Sequence, residues 1–475
     1  MEMLYIVAQY SAPILIALAA ALLLVAFGAA TLYHPTLLLY PYLGLLLTVP
    51  QSSYGSLEVA GPSIYSRGTG QLIFPHLFWL LLGALMWSLL LHPPTAGHNR
   101  LPRCNLWPWF LGFAALLLGH VVVAVYLGKE IRDGLSLTGF SSIVWMGVLV
   151  AVMVRLYSAA GGPQELSKFL VIVGLCRALF GLGRWALGGG DPANVYSNHG
   201  GASFNLTFFD ISDSLTCWLA LSIAGVALAS RRHAEIGWTW CTTYWTTVTV
   251  CALCIVLSYR RTAWAGALLA GAFLLLQIPR KPRIWASLGV VPCGVAAIAY
   301  AAMTRLSQTK GLHSASIAGF FHDLLGSPVG GDTMRTLELR LVINDFLNNI
   351  VLGIGAWGRF AGHQMIDWQS GPAGGTFVHS GVLHIALKSG LLGLSLTAGL
   401  ITAFWLHWRD YRPALSAGAA PLAVAGVSGA LFMVPDFLVG TPVPQVRTTQ
   451  MLALALSLPY VASAFSGPKR PLSVA

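Results

Sequence analysis

Between residues 12 and 465 the chain is a succession of apolar runs, near 12–31, 36–50, 72–91, 106–127, 137–157, 169–186, 212–230, 238–258, 264–279, 284–303, 378–406, 415–434 and 447–465. A helix needs about 20 apolar residues to cross the hydrocarbon core, and nearly every run approaches that length. The chain is 56% hydrophobic and 9% charged, whereas soluble proteins carry about a quarter charged residues. Only a lipid solvent tolerates so much apolar surface. The expected fold is an all-α polytopic membrane protein with 12 or 13 transmembrane helices. The short 36–50 stretch reads either as a span or as a re-entrant segment. The first run lacks a small-residue cleavage site, so it reads as a retained helix rather than a signal peptide.

The net charge is +11, a balance that elsewhere would suggest nucleic acid. Here the positive-inside rule explains most of it. Thirteen of the 27 basic residues fall in one alternating set of loops and segment ends: Arg100 and Arg103, Arg155 and Lys168, Arg231 and Arg232, Arg280 with Lys281 and Arg283, Arg409 and Arg412, Lys469 and Arg470. That face is expected to be cytoplasmic. The stretches 187–211, 304–377 and 435–446 then lie on the other side. Six of the seven cysteines fall in predicted spans, so no disulfide framework is expected, and Cys251-x-x-Cys254 reads as packing.

The 304–377 segment is far longer than the usual connection, and long ordered loops tend to be functional. It divides the chain into a helix bundle at 1–303, a loop domain at 304–377 and C-terminal membrane helices at 378–475. Within it, Ser314 to Leu325 reads as a short helix. Asp332 can cap a second one running to Asn348, with Met334, Leu337, Leu341 and Ile343 at helical spacing. A Gly353-Ile354-Gly355 turn follows.

Charges inside a membrane are functional candidates by default. No acidic residue falls mid-span, whereas a proton-coupled transporter usually needs one. Basic residues instead collect on the expected outer side. Arg177 and Arg184 share one helix face, Arg260 and Arg261 open a later span, and Arg305, Arg335, Arg340 and Arg359 lie in the loop, with Lys388 just beyond it. Individual arginines can snorkel to headgroups, but the set points to an anion held at the outer interface. Arginine suits two-pronged phosphate contact. Histidines 313, 322, 363, 379 and 384 gather in or beside the same loop. A metal site with Asp323 or Asp367 is the other reading, but the spacings match no metal motif. One histidine acting as a general base is more economical.

Two stretches carry a resemblance. Ser258-Tyr259-Arg260-Arg261-Thr262-Ala263-Trp264 resembles the serine-arginine motif of the bacterial O-antigen ligase and O-antigen polymerase superfamily. Arg340, Asn349-Ile350-Val351-Leu352-Gly353-Ile354-Gly355, His379-Ser380-Gly381-Val382-Leu383 and Gly390-Leu391-Leu392-Gly393 resemble its loop signature in order and spacing. Ile350 replaces the usual proline, Ser380 the usual asparagine, and Lys388 stands where an acidic residue is common. The resemblance implies a GT-C-like, inverting, metal-independent glycosyltransferase of the bacterial inner membrane, working at its periplasmic face without a cofactor. The donor would be an undecaprenyl-diphosphate-linked glycan. The acceptor would be a lipid A core sugar for a ligase or a growing glycan for a polysaccharide polymerase, with no nucleic acid involved. The implied site has His379 as base and Arg261, Arg340, Arg177, Arg184 and Arg260 on the diphosphate, with the polyprenyl tail between helices among membrane lipids. The alternative is a lipid-linked glycan flippase.

Overall fold

The apolar runs become helices because a backbone in lipid must satisfy its own hydrogen bonds. The computed structural model describes residues 25–51, 64–65, 75–91, 104–159, 162–188, 209–230, 236–310, 331–371, 374–412, 415 and 418–464, apart from 27 and 259. Among these residues the main elements are α1 (Tyr40–Thr48), α2 (His76–Leu91), α3 (Trp107–Tyr126), α4 (Ser141–Ala159), α5 (Pro163–Gly188), α6 (Ile211–Ser230), α7 (Trp238–Leu257), α8 (Arg261–Gln277), α9 (Val291–Lys310), α10 (Gly331–Asn348), α11 (Gly381–Tyr411), α12 (Ala420–Phe432), α13 (Val434–Val439) and α14 (Val446–Ala464). Among the described residues seven helical segments are long and apolar enough to cross a membrane, and four more are apolar but shorter. The chain is an all-α polytopic membrane protein.

Each expected span has a helix at its place except the first, 12–31, most of which lies outside the described residues. The 36–50 stretch is a 3-10 turn leading into the nine-residue α1, too short to span alone. Of the loop helices, 314–325 lies outside the described residues. The second is α10, and Asp332 is already helical rather than ahead of the helix. The helix expected to end at 303 continues to Lys310, so no break in the backbone marks the start of the loop.

The centre of the bundle is α6, which packs on α5, α7 and α12, while α14 packs between α4 and α12. Their small residues allow close approach: a Cβ on Gly174 would lie 2.4 Å from Cβ of Ala220. One end of this bundle is polar and largely enclosed. Arg447, in the first turn of α14, donates through Nη2 to Asp213 at 2.7 Å and through Nη1 to both oxygens of Asp210 at 3.2 Å. It also caps the end of α1 through the carbonyls of Leu46 and Leu47 at 2.9 and 3.1 Å. Arg177 of α5 adds a 2.9 Å bond from Nε to Asp213. Two arginines thus face two aspartates, the arrangement that makes buried charge tolerable.

The helix α11 has 31 residues and is interrupted at Gly390, with φ 62° and ψ −156°. Before the break it is buried against the loop segment, which has a small apolar core of its own in Val342, Phe360, Ile366, Val378 and Leu387. The Gly353 turn docks into the break. Ile354 N donates to Leu387 O at 2.8 Å, while Leu391 N and Leu392 N donate to Ile350 O and Val351 O at 2.7 and 3.3 Å. A Cβ on Gly390 would lie 2.2 Å from Val351 O, and one on Gly353 2.4 Å from Leu387 O. The two glycine motifs, separate in the sequence, are the two halves of one joint.

Candidate functional site

Where the loop ends, Ser380 takes extended backbone and its hydroxyl accepts from Leu383 N at 3.3 Å, capping α11. His379 stands immediately before this cap. Its Nδ1 lies 2.9 Å from Oε2 of Glu338, and its backbone N donates to the same oxygen at 3.3 Å. Glu338 is on α10, one turn before the core residue Val342, so the apolar face of that helix carries the carboxylate inward. Its other oxygen accepts from Gln369 Nε2 at 2.8 Å. Gln369 is itself fixed, donating to Phe377 O at 2.9 Å and accepting from Gly375 N at 2.8 Å.

Burial alone would raise the Glu338 pKa, but the hydrogen bonds from His379 and Gln369 outweigh it and hold the carboxyl below its ordinary value. An ionised carboxylate only accepts, so Nδ1 carries a proton, and in the neutral imidazole Nε2 is the nitrogen with the lone pair. Trp368 and Phe377 meet the ring edge-on, with centroids 5.4 and 5.6 Å away. The His379 side chain keeps 22% of its surface exposed, while that of Glu338 has none. The ring is thus held from three sides and remains partly exposed.

His384, the nearest other histidine, is wholly buried and bonded through Nε2 to Gly139 O at 2.8 Å. Lys388 is also buried, donating to Gly358 O beside the joint. His363 Nδ1 sits 2.8 Å from Phe360 O. Among the described residues no three His, Cys, Asp or Glu side chains are grouped closely enough to hold a metal.

The arginines divide. Arg261, at the first position of α8, and Arg340 are exposed, and Arg184 is half-buried. Arg260 caps α8 and donates through Nε to Phe209 O. Arg177 is buried: besides its bond to Asp213, its guanidinium lies 4.8 Å from the ring centre of Phe209. The structure brings Arg260 to the same end as His379. Arg260 and Thr262 face Asp436 of α13. The same short helix abuts the start of α11, where a Cβ on Gly381 would lie 3.0 Å from Phe437 O. Arg340 is two positions from Glu338, hence on a different face of α10. Arg335, one turn before Glu338, shares its face and is half-buried.

Glu338, Asp213 and Arg447 are the residues that sequence reasoning did not single out. Glu338 had a signal, being a carboxylate flanked at helical spacing by Met334, Leu337 and Leu341. The other two had none, because their pairing joins positions far apart in the chain.

Residues 246–398, which run from within α7 to the second half of α11 and include Arg260, Arg261, Glu338 and His379, match the family model described as O-antigen ligase. This bears out the resemblance to the O-antigen ligase superfamily read from the motifs, over the stretch that carries them. No curated protein matches the chain.

Proposed function

We propose that this chain, a membrane glycosyltransferase of O-antigen ligase type, moves a glycan from an undecaprenyl-diphosphate carrier to an acceptor hydroxyl at the periplasmic face of the inner membrane. His379 is the general base. The observation that carries this reading is the Glu338–His379 hydrogen bond, because it fixes the tautomer a base needs. The acceptor oxygen attacks the anomeric carbon and its proton passes to Nε2. The bond from that carbon to the diphosphate breaks with inversion, and the lipid diphosphate departs with the electron pair. The imidazolium formed faces a carboxylate already ionised, so charge develops where it is stabilised.

Arg261 and Arg340, being exposed, are the arginines best suited to contact the diphosphate, and Arg184 and Arg335 can assist. Arg177 and Arg260 serve better as supports. One is paired with Asp213 and the other holds the Phe209 carbonyl. In this reading guanidinium groups neutralise the leaving group and no divalent metal is needed. The glycan acceptor is lipid A core for a ligase or a second lipid-linked chain for a polymerase. A flippase has no use for an oriented base, so the dyad favours transfer over transport.

The test is transfer by the purified protein in nanodiscs, with lipid-linked repeat units and each acceptor offered separately. His379→Ala should bind donor normally and lose roughly 10²–10⁴-fold in turnover. Turnover within a few-fold of the parent would remove the histidine from the chemistry. Activity abolished by EDTA and restored by a divalent cation would remove the metal-free reading.

A further inference from the structure

The turn that docks into the α11 break carries an apolar surface that stands exposed among the described residues. Leu347, Ile350, Val351 and Leu352 are 58, 42, 61 and 50% exposed, and Leu391 and Leu392, immediately after the break, are 50 and 44% exposed. The turn and the two leucines are one surface, because the Ile350 and Val351 carbonyls accept from the Leu391 and Leu392 amides. From 346 to 358 the chain has no charged residue. A soluble domain rarely leaves so continuous an apolar patch open.

The length of α11 says what lies beside it. Its 31 residues rise roughly 46 Å, well beyond the about 30 Å of a hydrocarbon core. The part after Gly390, from Leu391 to Tyr411, rises about 31 Å and matches that core. No charged residue interrupts it until Arg409. The part before Gly390 is buried in protein. The break therefore coincides with the edge of the bilayer, and Leu391 and Leu392 are the first residues of α11 to face lipid. The patch on the turn is continuous with that lipid-facing surface.

We propose that residues 347–352 form a membrane-seating element: the turn lies against the acyl chains at the bilayer edge and holds the loop segment, with the Glu338–His379 pair, down on the membrane. The inference concerns placement and does not depend on the reaction. It refines the sequence expectation of a loop domain at 304–377, because it puts the 347–352 part in lipid. Bulk acyl chains are the occupant, since the surface merges with the side of a spanning helix.

Spin labels on single cysteines test this in nanodiscs, in a variant with the seven native cysteines replaced. Val351→Cys and Leu391→Cys should give similar oxygen-to-nickel accessibility ratios, each at least several-fold above that of Ser370→Cys in the exposed loop. A ratio at Val351 equal to that at Ser370 would overturn the proposal. If the cysteine-free variant does not fold, p-benzoyl-phenylalanine at Val351 in the native-cysteine protein gives the same answer by mass. A phospholipid adduct supports seating. An adduct to a second copy of the chain, or no adduct while position 391 yields a lipid adduct, refutes it.

Discussion

The Glu338 carboxylate and the His379 imidazole meet at 2.9 Å although they stand 41 positions apart in the chain. Neither residue could do the same work alone. The carboxylate is buried on the helix of a loop segment, and the ring sits at the mouth of a membrane helix.

Replacing Glu338 by Gln keeps the size of the side chain but removes the charge that stabilises the imidazolium. Turnover should fall on the order of 10²-fold, with donor affinity unchanged in a binding assay. A parallel fall in melting temperature for Glu338→Gln would instead point to a purely structural carboxylate. Rescue by Glu338→Asp would require the shorter side chain to reach His379, so it should remain poor.

The Glu338 carboxyl is held below its ordinary value by hydrogen bonds that overcome the opposing effect of burial. A depressed folded value means that its stabilisation is present above the ordinary carboxylate range and is lost as pH falls through the folded value. Amide protection factors around residues 338 and 375–379 should therefore be flat near neutrality and drop only in acid, where exchange accelerates relative to its intrinsic rate. In Glu338→Gln that acid-dependent acceleration should vanish.

Asp213 accepts from both Arg177 and Arg447 inside the bundle. Asp213→Asn leaves two buried guanidinium groups with less counter-charge and should cost about 3–5 kcal/mol, read as a lowered melting temperature in detergent. Arg177→Met should cost less, because Asp213 keeps Arg447. Equal losses in the two variants would contradict the shared-carboxylate arrangement.

Arg261→Lys tests the leaving-group contact. An ammonium keeps the charge but not the two-pronged geometry, so transfer should weaken while the fold is retained. Full activity in Arg261→Ala would exclude the residue from the site.

At Gly390 an added methyl group meets the Val351 carbonyl at 2.2 Å and the backbone has φ 62°. Gly390→Ala should destabilise by more than the roughly 1–3 kcal/mol of backbone strain alone. Gly371→Ala, where a Cβ meets nothing within 4 Å, is the matched control and should melt like the parent.

The membrane helices were legible because each is a run of apolar residues and the lipid enforces one way to satisfy the backbone. His379 and the glycine motifs were legible as separate short signatures. What they do to one another was not. Gly390-Leu391-Leu392-Gly393 reads as ordinary helix, and only the docked turn reveals that Gly390 breaks it. Glu338 looks like any acidic residue of a helix until Gln369 and His379 close over it. Arg177 looked like a free cation at the outer interface because the sequence does not show that Asp213 and Arg447 lie beside it. Each of these depends on a contact between distant segments, and periodicity along the chain carries no record of such contacts.

The joint at Gly390 also bears on how the protein is made. At the break the Leu387 carbonyl and the Leu391 and Leu392 amides take their partners from outside α11. A polar group left unpaired in apolar surroundings costs several kcal/mol. Those partners are Ile350, Val351 and Ile354, residues synthesised before α11. The broken form of the helix therefore depends on the docked turn, and without that turn α11 would be free to continue as one unbroken helix through Gly390.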